Sequence, residues 1–363
     1  MEEHNKMTKY TLGILKGDGI GPEIVNSTVN VLRATLKFNS EINFNFEEFP
    51  MGWEGIKKYH DPVPQKTKRG LKNVDAWIMG THDNASYPSG QRDKKRNPSG
   101  ELRHYFDLFS NIRPSFSLPG VKSLVKNVDL IIIRENSEGF LSDRNMYRGS
   151  GEEMPTSNVS LTIGVFTKKA IARIAYEAFK LTEKRKKKLT IVHKANVIKY
   201  SGQLFIKTVK NIGRKYYPDV KINTMHVDAA AAALIKNPQQ FDCLVTENLF
   251  GDILSDEIGQ LIGGLGLSGS INSSSHQVMA QASHGAAPDI AGKNIANPTS
   301  MLFSVSMMLK WLGNYKHDQR LYELSEKIKK ATLRVLKNGI KTPDIGGKAT
   351  TTQFTNKVIE NLF

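Results

Sequence analysis

The chain has a single cysteine, Cys243, so no disulfide can close within it, and a reducing compartment fits. No apolar run approaches the roughly 18 residues that a membrane-crossing helix needs. The first eleven residues are polar and hold no apolar signal-peptide core. These absences point to a cytoplasmic protein. Internal repeats and low-complexity linkers are also missing, so composition marks no domain boundary. Positive charge is plentiful: 51 Lys and Arg against 35 Asp and Glu, a formal net charge of +16. The two densest basic runs are Arg92-Asp93-Lys94-Lys95-Arg96 and Lys184-Arg185-Lys186-Lys187-Lys188. Neither is interleaved with aromatics on which bases could stack. Nucleic-acid binding is therefore disfavoured against a solvated surface or the steering of an anionic ligand.

At 363 residues the chain is long enough for about two domains. It is 39% hydrophobic and 24% charged, too apolar to stay disordered and large enough to fold without staples. Short apolar runs alternate with stretches of helical spacing, which argues an α/β fold. Strands are expected at residues 10–15, 76–79, 130–133, 189–192 and 243–246. Helices are expected at residues 24–36, 168–182, 202–212, 300–311 and 319–337. Between the first strand and helix, Lys16-Gly17-Asp18-Gly19-Ile20-Gly21-Pro22-Glu23 reads as a tight turn. Its proline suits a first helical turn. Polar or charged residues follow each strand, where α/β folds place their sites. Gly264-Leu265-Gly266-Leu267-Ser268-Gly269 fits a dinucleotide fingerprint. The segment after it, 270–275, reads as a turn rather than a helix, so the match is discounted.

Four constellations carry chemistry. Asp252 and Asp256 are spaced i, i+4, which on a helix puts both carboxylates on one face. A divalent cation such as Mg²⁺ or Mn²⁺ between them is one resolution of their repulsion. An acidic turn against a helix dipole is the other. Arg103, Arg113 and Arg134 form a basic set, and three guanidinium forks would suit a di- or tricarboxylate. Taken singly, each reads first as an ordinary surface ion-pair former. Lys194, in Val192-His193-Lys194-Ala195-Asn196, ends a strand. Beside a metal and arginines it would be a proton-transfer group with a lowered pKa; otherwise it is one more surface lysine. Finally, His284-Gly285-Ala286-Ala287-Pro288-Asp289-Ile290 and Asn297 have small residues that let backbone approach a ligand, and Asp289 could accept from a ribose diol. The alternative is an irregular turn.

Taken together, these segments resemble the β-decarboxylating dehydrogenases: the isocitrate, 3-isopropylmalate, homoisocitrate and tartrate dehydrogenases. The resemblance runs from the turn at Lys16 to Thr342-Pro343-Asp344-Ile345-Gly346-Gly347. It implies a non-Rossmann α/β fold of two domains, with a mixed central sheet and a cleft between them. Residues 1–108 and 264–363 would form the large, cofactor-side domain. Residues 109–263 would form the small domain, with the dimer interface and the metal and catalytic residues. The resemblance further implies a homodimer whose active site is shared between subunits. Arg103, Arg113 and Arg134 match the substrate-carboxylate arginines, and Asp252 and Asp256 match metal ligands. Asp228 matches the metal aspartate given by the other subunit, and Lys194 the catalytic lysine, also given across the dimer. His284, Gly285, Asp289, Ile290 and Asn297 match the cofactor loop, in its NAD-preferring form. The implied reaction passes a hydride from C2 to NAD⁺ and then loses CO₂, with Mg²⁺ or Mn²⁺ bound.

Two departures stand out. Leu141 occupies the position of the family tyrosine, seven residues after Arg134, and leucine moves no proton. Tyr147 or a water would then have to act, or the chain is a catalytically weakened homologue. Gln281 stands where a glutamate is frequent, keeping hydrogen bonding but losing a charge. Before Arg103 the sequence Asn97-Pro98-Ser99-Gly100-Glu101-Leu102 has little apolar surface. Asn97 and Ser99 would suit a polar group on the substrate. The expected substrate is isocitrate, ahead of tartrate or malate, with 3-isopropylmalate third.

Overall fold

A computed structural model describes residues 7–37, 41–92, 95–141 and 151–363. The elements in chain order begin with β1 (Thr8–Leu15), α1 (Gly21–Leu36) and β2 (Ile42–Glu48). Then come α2 (Trp53–Tyr59), α3 (Gln65–Leu71), β3 (Ala76–Met79), α4 (Ser89–Arg92) and α5 (Pro98–Tyr105). The middle of the chain forms β4 (Ser110–Phe116), β5 (Asp129–Glu135), β6 (Glu152–Thr156), β7 (Val159–Thr162), α6 (Lys168–Glu183) and β8 (Lys188–His193). It continues with α7 (Lys199–Tyr216), β9 (Lys221–His226), α8 (Val227–Lys236), β10 (Cys243–Thr246) and α9 (Asn248–Leu261). The last part forms β11 (Ile271–Ser273), β12 (Val278–Gln281), α10 (Thr299–Lys316), α11 (Gln319–Lys337) and α12 (Thr351–Glu360).

Ten strands form one sheet in the order β2-β1-β3-β12-β11-β4-β5-β10-β8-β9. The β12–β11, β11–β4 and β4–β5 pairs are antiparallel and the other pairs parallel. Three reversals are an odd number, so the two parallel runs point in opposite directions. The first five strands in this order come from the two ends of the chain, and the last five from its middle.

The sheet is covered on both faces, so its inner strands alternate between two apolar cores. Ile133, Cys243 and Val245 pack with α6 and α7, while Ile132, Leu130 and Leu244 pack with α8 and α9. In the other half, Leu12, Ile14 and Ile78 face α1, α10 and α11, and Leu15, Trp77 and Met79 face the opposite way. β3 and β10 are buried at every position, as strands covered on both sides must be. α11 buries Leu321, Leu324, Ile328, Ala331 and Val335, the three-and-four spacing of one helix face. No described helix is long and apolar enough to cross a membrane.

The expected strands and helices are all present, and most run a few residues longer than their apolar cores. The segment after the Gly264–Gly269 match is a correction. It is not a turn: a single helical turn, Leu265–Leu267, leads into strand β11. Its polar residues gave no strand pattern because the Asn272 side chain is satisfied inside the sheet, by Gln281 and Asn136. Pro114 sits inside β4 without conflict, since the pairing to three-residue β11 ends at Ile112.

Candidate active site

The tight turn after β1 organises one side of the cleft. A Cβ on Gly17 would lie 2.0 Å from the Thr81 carbonyl oxygen, and one on Gly19 2.0 Å from that of Ala286. Both glycines also have positive φ. The turn thereby touches the loop after β3 and the loop after β12 at once. Asp18 is buried, and its carboxylate accepts from the Trp53 and Asp83 amides and the Tyr87 hydroxyl. Glu23, in the first turn of α1, accepts from the Gly292 amide at 3.0 Å and the Thr351 hydroxyl at 3.2 Å. Sequence reading missed this anchor of the 284–297 loop, because a first-turn glutamate looks like dipole compensation alone.

In that loop, His284 Nδ1 lies 3.1 Å from the Gly285 carbonyl, which can only accept, so Nδ1 carries the proton. His284 Nε2 is buried and has no partner among the described residues, and burial lowers the ring's pKa. Gly285 and Asp289 are exposed, and Ile290 packs on the core beneath. The Asn297 amide donates to Asp344 at 2.9 Å, a partner that sequence reading had not assigned.

Arg103 comes from α5, whose cap is Asn97: its side chain accepts from the Gly100 amide at 2.7 Å. Leu102 is fully buried with Trp77, so the lone apolar residue of that segment belongs to the core. Gln281 Oε1 accepts from Arg103 at 3.1 Å, Ser99 at 3.2 Å and Asn272 at 3.3 Å. Asn272 Oδ1 in turn accepts from Asn136. Gln281 stood out in the sequence, but its buried neighbours Asn136 and Asn272 did not, since asparagines look like turn residues there.

Across the sheet, α9 packs on β4 and β5 and presents Asp252 and Asp256 together. Arg113 donates to Asp256 at 2.7 Å, to Ser255 at 2.7 Å and to Asp252 at 3.4 Å. Arg134 donates to the same Asp252 oxygen and, at 2.8 Å, to Asn248. Two guanidinium groups and two carboxylates are thus interleaved. Arg134 is only 1% exposed. A Cβ on Gly251 would lie 2.6 Å from Arg134 Cγ, so glycine there lets the side chain pass under α9. Burial raises the Asp256 pKa, and Arg113 opposes that rise. α9 is capped by Glu247, which accepts from the Leu249 and Phe250 amides. Burial pushes its carboxyl up to about 7.

Lys194 and Asp228 pair with each other at 2.7 Å, and this bond holds the Asp228 carboxyl below its ordinary range. Within the chain, Lys194 therefore has a carboxylate neighbour rather than the cationic surroundings that its sequence reading required. Among the described residues, no three His, Cys, Asp or Glu side chains converge as a metal cluster. Asp228 does not join Asp252 and Asp256 within one chain. Leu141 is the last described residue before a gap, and Tyr147 lies outside the described residues.

The sequence model for isocitrate/isopropylmalate dehydrogenase matches residues 11–360. The chain belongs to the isocitrate/isopropylmalate dehydrogenase family. A 3-isopropylmalate dehydrogenase of Sulfurisphaera tokodaii is 36% identical, over 97% of this chain and 99% of that one. An isocitrate/homoisocitrate dehydrogenase of Thermus thermophilus is 38% identical, over 97% and 98%. A 3-isopropylmalate/3-methylmalate dehydrogenase of Methanocaldococcus jannaschii is 36% identical, over 97% and 99%. The crystal structure of isocitrate dehydrogenase from Methylococcus capsulatus superposes with a TM-score of 0.85 at 32% identity, covering 97% of this chain and 99% of that one. The protein is thus an oxidoreductase of this family's fold, an enzyme that oxidatively decarboxylates a hydroxyacid.

Proposed function

We propose that the protein is an NAD- and divalent-metal-dependent dehydrogenase of a 3-substituted malate, isocitrate before the others. The observation that carries this reading is the interleaving of Arg113, Arg134, Asp252 and Asp256. In the chain alone the two charge pairs neutralise each other. On loading, the arginines turn to substrate carboxylates and the aspartates to a cation, and each buried charge keeps a counter-charge. The donor set fits Mg²⁺ or Mn²⁺: two carboxylates one helical turn apart, hard oxygen ligands of the kind these cations take. Bound there, the cation would supply positive charge to the enolate left when CO₂ departs, after NAD⁺ has taken the C2 hydride.

The remaining work falls to this chain's own groups. Arg103, Arg113 and Arg134 orient the substrate carboxylates as bidentate forks. His284 Nε2, buried with its lone pair unused, and Asn297, fixed by Asp344, hold the cofactor. Asp289 accepts from the ribose 2′-hydroxyl and repels a 2′-phosphate, which selects NAD. The Lys194–Asp228 pair supports a homodimer with shared sites, in which Asp228 completes the partner's aspartate set and Lys194 moves the substrate proton. The exposed β6–β7 hairpin supports it too. Met154, Val159 and Leu161 are exposed on it, and two strands alone are marginal in water unless covered by another surface. The large, cofactor-side domain is then residues 1–108 and 264–363, and the small domain residues 109–263.

Isocitrate is favoured because the groups of α5 beside the cleft are Ser99 and Arg103, with Leu102 turned into the core. The test is NADH formation with Mg²⁺ or Mn²⁺ on isocitrate, homoisocitrate, tartrate, malate and 3-isopropylmalate. Isocitrate should give the highest kcat/KM, and EDTA should abolish it. A preference for 3-isopropylmalate would overturn the substrate assignment. Silence on all five, in folded protein that still binds NAD, would favour the weakened homologue. Leu141→Tyr should then restore turnover.

A further inference from the structure

The loop after β3 holds a residue that none of these assignments uses. His82 lies between two neighbours that are both fastened to Asp18. The Thr81 carbonyl accepts from the Asp18 amide at 2.8 Å, and the Thr81 hydroxyl donates to the Asp18 carbonyl at 2.7 Å. The Asp83 amide donates to the Asp18 carboxylate at 3.1 Å. A Cβ on Gly80 would lie 2.0 Å from the Lys16 carbonyl oxygen, so the start of the loop is pressed onto the same turn. Three hydrogen bonds thus fix the backbone on either side of His82. One ring nitrogen is left unserved: Nδ1 is buried and makes no hydrogen bond among the described residues. A buried ring nitrogen without a partner costs free energy unless a ligand completes it.

The charged groups around the ring are Arg103 from α5, Asp18 from the first turn and Asp83 from its own loop. Burial and then Arg103 lower the ring's pKa to about 4, so the imidazole is neutral at working pH. A neutral imidazole adds no like charge beside the Arg103 guanidinium and offers an N–H of its own. β3 is the direct parallel neighbour of β12, and its last residue, Met79, is paired with Gln281, the residue that holds Arg103. Both strands end at the same edge of the sheet, so the loop bearing His82 leaves beside the Arg103–Gln281–Ser99 cluster.

We infer that His82 is a further substrate-contacting residue, a rigidly held imidazole that donates a hydrogen bond to the substrate carboxylate bound by Arg103. The inference deepens the functional reading above and rests on it. A carboxylate has two oxygens and about four lone-pair sites, so an arginine fork does not exhaust it. An additional neutral donor tightens the grip without adding a like charge beside Arg103.

The test is calorimetric titration of the Mg²⁺-loaded protein with whichever of the five carboxylates the wild type binds best, alongside KM for NAD. His82→Ala should weaken carboxylate binding about tenfold, or about 1.4 kcal/mol, with KM for NAD unchanged. His82→Asn places an amide N–H near the position of Nδ1 and should recover most of that loss. Unchanged carboxylate binding in His82→Ala would overturn the inference, as would an equal loss of NAD affinity or an Asn variant no better than Ala. Wild-type protein that binds none of the five would overturn the functional reading instead, and this inference with it.

Discussion

The two sides of the cleft hold their arginines by different means. On the β4–β5–α9 side, Arg113 and Arg134 are bound by full carboxylates. On the α5–β12 side, Arg103 is held by Gln281, a neutral amide oxygen that it shares with Ser99 and Asn272. The first arrangement balances charge but must exchange partners before it can bind anything. The second orients its arginine through a neutral oxygen at Gln281. An anion arriving from solution therefore meets a neutral amide oxygen beside Arg103, and two carboxylates beside Arg113 and Arg134. The comparison teaches that Gln281 is not a blunted glutamate. An acid there would have put a carboxylate on the second side as well.

The largest expected effect comes from breaking the carboxylate side. Asp252→Asn removes the shared partner of Arg134 and Arg113, and turnover should fall about a thousandfold, the scale of losing a group that acts on developing charge. Because Arg134 is nearly fully buried, stability should also fall by on the order of 2 kcal/mol. Kinetics and thermal melting of the one variant read both. Turnover within tenfold of wild type would remove Asp252 from the site.

The next effect concerns the cap of the same helix. The Glu247 carboxyl is raised from its ordinary value of 4.5 to about 7 by burial. A raised acid loses stability as pH climbs from its unfolded pKa to its folded one, and the loss is complete above the latter. Glu247→Gln keeps an oxygen for the two helix amides and has no proton to lose. It should match wild type at pH 4 and melt higher at pH 8, by on the order of 2–3 kcal/mol. Equal melting at both values would mean that Glu247 is ionised without penalty.

How far all this could be read beforehand differs between the two sides. Strands such as β3 and β10 announce themselves as short apolar runs and helices such as α11 by apolar period, because packing against a core dictates their pattern. The i, i+4 aspartates were legible for the same reason: a helix face is a sequence pattern. The α5–β12 side was not. β11 and β12 are three and four residues long, too short to carry a period. Their amides meet Asn136 and Gln281 only through the sheet order. His82 has no local pattern whatever, since its interest lies in Arg103, twenty-one residues on, and Asp18, sixty-four residues back. The β6–β7 hairpin was missed because it faces no core of its own chain.

The smallest expected effect would sharpen the comparison. Gln281→Glu should put a carboxylate where the second side now has a neutral amide. The new carboxylate would grip Arg103, and KM for the carboxylate substrate should rise severalfold while the fold and KM for NAD hold. A fall in KM would show that Arg103 gains more from tighter orientation than it loses to the added negative charge.

The place of the single cysteine has a consequence for how the protein ages. Cys243 opens β10, inside the sheet between β5 and β8, and burial pushes its thiol up to about 11. At neutral pH that leaves roughly one thiolate in ten thousand, behind a layer of helices on each face. Peroxide and alkylating reagents will find no foothold there. Among the described residues, the most exposed sulfur-bearing side chains are thioethers: Met7, at 55% exposure, and Met154, at 67% in the chain alone, on the hairpin that a dimer would cover. Oxidative wear of this enzyme is accordingly a matter of sulfoxides, which methionine sulfoxide reductases can reverse, and not of disulfides.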